Sequence, residues 1–130
     1  MIIGNFIKGI ELKYTKHYFS GLCFNSTKCK KDNIFFAIKG TKIDGNKFIK
    51  HAIQKGAKTI ISDKKIEGIK KNILFIKSSN VRKSLSEFAY TIYKNKPKNI
   101  IAVTGTNGKS SVSDFYFQIL KLNKKKVASI

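Results

Sequence analysis

The sequence predicts an α/β fold: a small N-terminal mixed α/β domain, followed by the first strand, loop and helix of a phosphate-binding (P-loop) domain. Three observations carry this expectation. Short apolar runs alternate with stretches whose apolar residues recur every three or four positions, the pattern of strands and amphipathic helices in turn. A lysine-rich segment holding the only proline, Lys94-Asn95-Lys96-Pro97-Lys98, reads as a linker. Beyond it an apolar run meets a glycine-rich turn that opens another helical pattern.

Taken in order, Asn5 to Tyr14 mixes apolar and charged positions and suits a short strand or an entry segment. Phe19 to Phe24 reads as a strand, and Ile34 to Ile38 as a second, bounded by the Lys31-Asp32-Asn33 turn and by Gly40. From Asn46 to Lys55 the residues Phe48, Ile49, Ala52 and Ile53 share one helical face, and Gly56 supplies a C-terminal stop. Lys58 to Ser62 and Ile73 to Ile76 are further short strands. Asn80 caps a helix whose apolar face is Val81, Leu85, Phe88, Ala89 and Ile92. After the linker, Asn99 to Thr104 reads as a buried parallel strand, and Val112, Phe115, Tyr116 and Ile119 mark a helix. Lys126 to Ile130 resembles the start of a next strand.

Gly105-Thr106-Asn107-Gly108-Lys109-Ser110-Ser111 sits between that strand and that helix. Glycines let a backbone curl with its N–H groups inward, and a helix N-terminus adds partial positive charge. Lys109 would reach the β- and γ-phosphates of a nucleotide, and the Ser110 hydroxyl would ligate Mg²⁺. The general Walker A pattern wants glycine where this chain has Val103, so the loop is a shorter Gly-x-x-Gly-Lys-Ser form.

Bulk properties narrow the alternatives. A formal charge of +20 over 130 residues invites a nucleic-acid reading. Yet Arg82 is the only arginine, and the lysines are scattered over every segment instead of forming a stripe. Arginine is the usual residue for bidentate base and phosphate recognition, so no nucleic-acid partner is expected. No run approaches the roughly 20 apolar residues that span a bilayer. The N-terminus lacks the charged start and apolar stretch of a secretion signal, so a cytoplasmic protein without a membrane partner is expected. Cys23 and Cys29 match neither a zinc site nor a disulfide framework; Cys23 packs in a strand and Cys29 reads as incidental. His17 and His51 have no partner pattern.

The shorter loop, Thr104-Gly105-Thr106-Asn107-Gly108-Lys109-Ser110-Ser111, resembles the ATP loop of the Mur ligases, which build the peptide stem of bacterial cell-wall precursors. The upstream segments Asn33 to Gly40 and Asp44-Gly45-Asn46-Lys47-Phe48-Ile49 resemble the same family, as do Ala52 and Lys55-Gly56-Ala57. The likeness covers roughly residues 20–130 and is greatest to the branch that adds the third amino acid.

That resemblance implies residues 1–97 as a UDP-substrate-binding domain and 98–130 as the incomplete start of a central ATP-binding domain. It implies a ligase that phosphorylates a substrate carboxylate with ATP and Mg²⁺, forming an acyl phosphate that an incoming amine attacks. Lys109 would be the catalytic cation, Gly105 through Ser111 the ATP loop, and Ser110 the metal ligand. Phe24, Ser26, Thr41, Lys42 and Ile43 fall on the family's UDP-binding positions. The partners implied are UDP-N-acetylmuramoyl-L-alanyl-D-glutamate and an amino acid, meso-diaminopimelate or L-lysine, acted on by a monomer. The family usually shows Asp-Ser-Arg where this chain has Asn25-Ser26-Thr27, which removes both charges at that place. One strand, one helix and a strand stub do not close a nucleotide site, so the chain reads as the N-terminal part of a longer enzyme, inactive by itself. Two other readings stand beside this one: the sister ligase that adds D-alanyl-D-alanine, and a non-catalytic nucleotide- or nucleic-acid-binding module.

Overall fold

The computed structural model describes residues 1–7 and 10–130. Lys8 and Gly9, inside the predicted 5–14 segment, lie outside the described residues. The chain divides into two compact units, Met1–Lys94 and Asn95–Ile130.

The first unit is built on a five-stranded sheet of order β1-β2-β3-β5-β4. Its strands are β1 (Gly21–Cys23), β2 (Asn33–Phe36), β3 (Thr59–Ser62), β4 (Gly68–Lys70) and β5 (Ile73–Lys77). β1, β2, β3 and β5 run parallel, and β4 pairs antiparallel with the outer side of β5. Two helices cover it, α1 (Ile49–Gln54) and α2 (Val81–Ile92). The parallel strands are near-continuous apolar runs because both faces of the sheet are covered. Alternation within β2 shows it: Ile34 and Phe36 join the core that includes Val81 and Phe88 of α2. Phe35 and Ala37 join the opposite core, with Ala52 of α1, Ala57 and Ile60.

The helix signals in the sequence act as read. The Asn80 side chain accepts a hydrogen bond from the Lys83 N–H at 2.9 Å, satisfying one of the four orphan donors of the α2 N-terminus. The other helix begins as a 3-10 turn, Gly45–Phe48, and ends in a left-handed Gly56 with φ of 105°. There the Ala57 N–H reaches back to the Ala52 carbonyl and the Gly56 N–H to that of Ile53, the paired bonds of a glycine-terminated helix. A side chain at Gly56 would also strike the Lys31 backbone, 2.8 Å from the Cβ position.

The structure decides one open alternative, with Asn5–Tyr14 an entry segment, and corrects other expectations. The Asn5–Tyr14 region holds 3-10 turns at Ile3–Asn5 and Leu12–Tyr14 and no strand among its described residues. The sequence reading passed over β4, whose hairpin turns through Lys71 and Asn72, both with positive φ. Two left-handed residues are what a tight hairpin requires, but lysine at the first place hides the signal that Asn-Gly would give. Cys29 is not incidental: it is buried beside Cys23 in the α1-side core, and both thiols are free. Burial, with a hydrogen bond to Cys23, pushes the Cys29 thiol up to about 12. It therefore stays protonated and unreactive at ordinary pH. Iodoacetamide at pH 8 is expected to modify Cys29 far more slowly in the folded chain than in urea, read by peptide mass analysis; equal rates would contradict this burial.

The second unit carries one helix, α3 (Lys109–Leu122). Asn99 to Thr104 and Lys126 to Ile130 form no strand, because a ladder needs partners and residues 95–130 supply none among themselves. The apolar stripe of α3 is correspondingly open, with Val112, Phe115, Tyr116 and Ile119 all exposed.

Candidate functional site

Parallel β1 and β2 end on the same edge of the sheet, with Cys23 opposite Phe35. Open parallel sheets bind ligands beyond the carboxyl ends of their strands. Both segments proposed for the substrate leave the sheet there. From β1 the chain passes through Phe24 and Asn25 into a 3-10 turn, Ser26–Lys28. The Asn25 carboxamide oxygen accepts hydrogen bonds from the Thr27 N–H at 3.0 Å and the Thr27 hydroxyl at 2.9 Å, so the two uncharged residues close the turn between themselves. Phe24 is 67% exposed, whereas Ser26 is 6% exposed. The Ser26 hydroxyl meets the His51 Nδ1 of α1 at 3.0 Å.

From β2 the chain runs through Ala37 to a tight loop in which the Gly40 N–H donates to the Ile43 carbonyl at 2.9 Å. Thr41, Lys42 and Ile43 form its tip and are all exposed. Phe24 and Ile43 present exposed apolar surface at this edge, and Lys42 an exposed cation. The loop is held at its base by Asp44 and Asn46. The Asp44 carboxylate accepts from the Asn46 N–H at 2.9 Å and from its side-chain amide at 2.8 Å. That same amide donates to Asp63, just past β3, at 2.8 Å. These bonds, the backbone one foremost, hold the Asp44 carboxyl below the usual carboxylate range. Asp44 and Gly45 thus fasten the turn.

Gly45 is confined by space. A Cβ there would lie 2.5 Å from the Ile38 carbonyl oxygen and 2.8 Å from the Ile38 nitrogen, both backbone atoms. Gly45→Ala is expected to cost about 3 kcal/mol of stability, because the neighbouring backbone must move. Urea unfolding would measure it, and a loss below about 0.5 kcal/mol would show that the loop yields freely.

In the second unit the glycine-rich loop enters α3 through a left-handed Gly108 with φ of 75°, and nothing lies within 4 Å of its Cβ position. The Val112 N–H closes the first helical turn onto the Gly108 carbonyl at 2.9 Å. Residues 104–112 are exposed. The Lys109 ammonium folds back onto the carbonyls of Gly105 and Thr106. Open space at the glycine, exposed N-terminal N–H groups and a lysine over the loop fit a phosphate chain. The exposed Ser110 hydroxyl, next after Lys109, is a hard oxygen donor suited to Mg²⁺.

A model of the Mur ligase family catalytic domain matches residues 18–102. The chain belongs to the Mur ligase family. This Mur ligase chain is 49% identical over 74 residues to the UDP-N-acetylmuramoyl-L-alanyl-D-glutamate–2,6-diaminopimelate ligase of Clostridium tetani, covering 55% of this chain and 15% of that protein. It is 45% identical over 84 residues to the ligase of the same name from Rickettsia conorii, covering 65% and 17%. Among solved structures, a ligase of that name superposes with a TM-score of 0.72 at 25% identity over 95% of this chain and 26% of its own. A MurF ligase from Thermotoga maritima in complex with ADP gives 0.60 at 26% identity, over 78% and 23%. The chain therefore spans about one sixth of the two curated relatives' length.

His51, which the sequence shows without a partner pattern, and Asn46, which it shows only within the Asp44–Ile49 likeness, take their roles from partners brought close by folding, Ser26 for one and Asp63 for the other. Among the described residues no cluster of three metal-ligating side chains occurs, and no helix is long and apolar enough to cross a membrane.

Proposed function

We propose that this Mur ligase chain supplies the UDP-substrate-binding domain, residues 1–97, and the opening of the ATP-binding domain, residues 98–130, of the ATP-dependent ligase that adds diaminopimelate to UDP-N-acetylmuramoyl-L-alanyl-D-glutamate. The observation carrying this reading is the 49% identity to a relative named for that reaction. Phe24, Ser26, Thr41, Lys42 and Ile43 hold the nucleotide end of the substrate at the carboxyl edge of the sheet. Gly105 through Ser111 cradle the ATP phosphates, with Lys109 neutralising charge and Ser110 holding Mg²⁺. The metal would draw negative charge off the phosphoryl group as it passes to the substrate carboxylate, giving an acyl phosphate. The residues of this chain position the reactants and stabilise charge, which lowers the barrier without covalent participation.

Calorimetric titration with the UDP-dipeptide tests the substrate half. Saturable binding is expected, weakened about fivefold in Ser26→Ala, the scale of one hydrogen bond. The sister ligase is the second reading, favoured by the likeness to the Thermotoga maritima structure. It would show itself as preference for the UDP-tripeptide over the UDP-dipeptide.

A further inference from the structure

We infer that His51 is a positioning residue for the nucleotide end of the substrate: its ring sets whether the Ser26 hydroxyl donates or accepts at the carboxyl edge of the sheet. The inference rests on the assignment of the Ser26 turn to the UDP-substrate site. Ser26 and His51 are 25 residues apart, and folding brings α1 onto the Ser26–Lys28 turn so that Oγ and Nδ1 meet at 3.0 Å. Ala52, fully buried beside His51, fixes the rotation of α1. The Ser26 hydroxyl has no other partner among the described residues.

A serine hydroxyl has one proton to give and two lone pairs to receive. An imidazole Nδ1 carries either a proton or a lone pair. When Nδ1–H donates to Oγ, the serine proton is free for a ligand. When Nδ1 is bare, it takes the serine proton, and only lone pairs face outward. Phosphate oxygens and uracil carbonyls are acceptors, and lone pairs repel them. A substrate gripped through either therefore requires the proton on Nδ1. The choice falls to the group hydrogen-bonded to Ser26. In this chain that group is His51.

The test uses the 130-residue chain, with UDP-N-acetylmuramoyl-L-alanyl-D-glutamate as the calorimetric probe. His51→Leu, which keeps bulk and loses the hydrogen bond, is expected to weaken binding about fivefold. His51→Gln, whose amide can donate to Oγ, is expected to restore it to within about twofold of the native chain. Ser26→Ala combined with His51→Leu is expected to bind no more weakly than Ser26→Ala alone. Thermal unfolding of each variant separates affinity from folding. A fourth readout needs no substitution: ¹⁵N spectra of the histidine-labelled native chain should show the His51 Nδ1 protonated in the complex. A bare Nδ1 in the complex would overturn the inference. Unchanged affinity in His51→Leu, failure of His51→Gln to restore it, or additive losses in the double variant would also overturn it. In each of these cases native-chain binding would leave the UDP-substrate reading standing. Absence of binding by the native chain would remove both.

Discussion

Lys109→Ala is expected to abolish phosphate release from ATP in a ligation-competent protein carrying this sequence, while the affinity for the UDP-substrate stays within twofold of the parent. The loop offers this one side-chain cation to the phosphates, and it stands at the start of α3. Removing a charge aimed at the transferring group costs roughly 10³-fold in rate. In the structure Lys109 rests on the Gly105 and Thr106 carbonyls, so a phosphate chain must draw it off those oxygens. The substitution therefore also frees two acceptors that no ligand phosphate can use. The UDP-side residues all belong to the other compact unit, which is why binding should survive. Near-parental phosphate release would end the assignment of Gly105 through Ser111 to ATP.

The second large effect is structural. Phe88→Ala is expected to destabilise the first unit by about 4 kcal/mol, the scale for removing a buried phenyl ring. Phe88 is 2% exposed and touches three other rings. It stacks on Phe6 at 5.0 Å between centroids, meets Phe36 edge-on at 5.5 Å and lies 6.0 Å from Phe19. Phe6 comes from the N-terminal segment, Phe19 from the approach to β1, Phe36 from β2 and Phe88 from α2. One ring thus joins four separate stretches of chain, and its loss opens a cavity that none of them can fill alone. Such a change is a large fraction of the stability of a small domain. Urea unfolding should show either a sharply lowered midpoint or no cooperative transition. A shift below about 1 kcal/mol would mean that Phe6 and Phe36 close over the gap.

The elements legible in the sequence are those whose cause is local. Asn80 announces α2 because its cap acts three residues away, and Gly56 ends α1 because the left-handed turn is its own. Ile34, Phe35 and Phe36 announce a doubly covered strand because all three are apolar. Asn99 to Thr104 misled for the complementary reason: an apolar run records a tendency, while a strand is a relation to neighbours. Ser26 illustrates the same limit in the candidate site. Its place in a turn could be read from Asn25 and Thr27 beside it, but its burial and its bond to His51 depend on how α1 packs. The Asn46 amide shared by two carboxylates is likewise a product of packing.

The two outer strands, β1 and β4, are each three residues long. Unpaired strand edges invite other chains to add on, and proteins blunt them by shortness and by lysine. β4 ends in Lys70 and turns through Lys71, and Lys64 and Lys65 precede it. These four lysines suit a guard against self-association at the β4 edge. Salt that screens those charges should bring the chain closer to sheet-to-sheet aggregation.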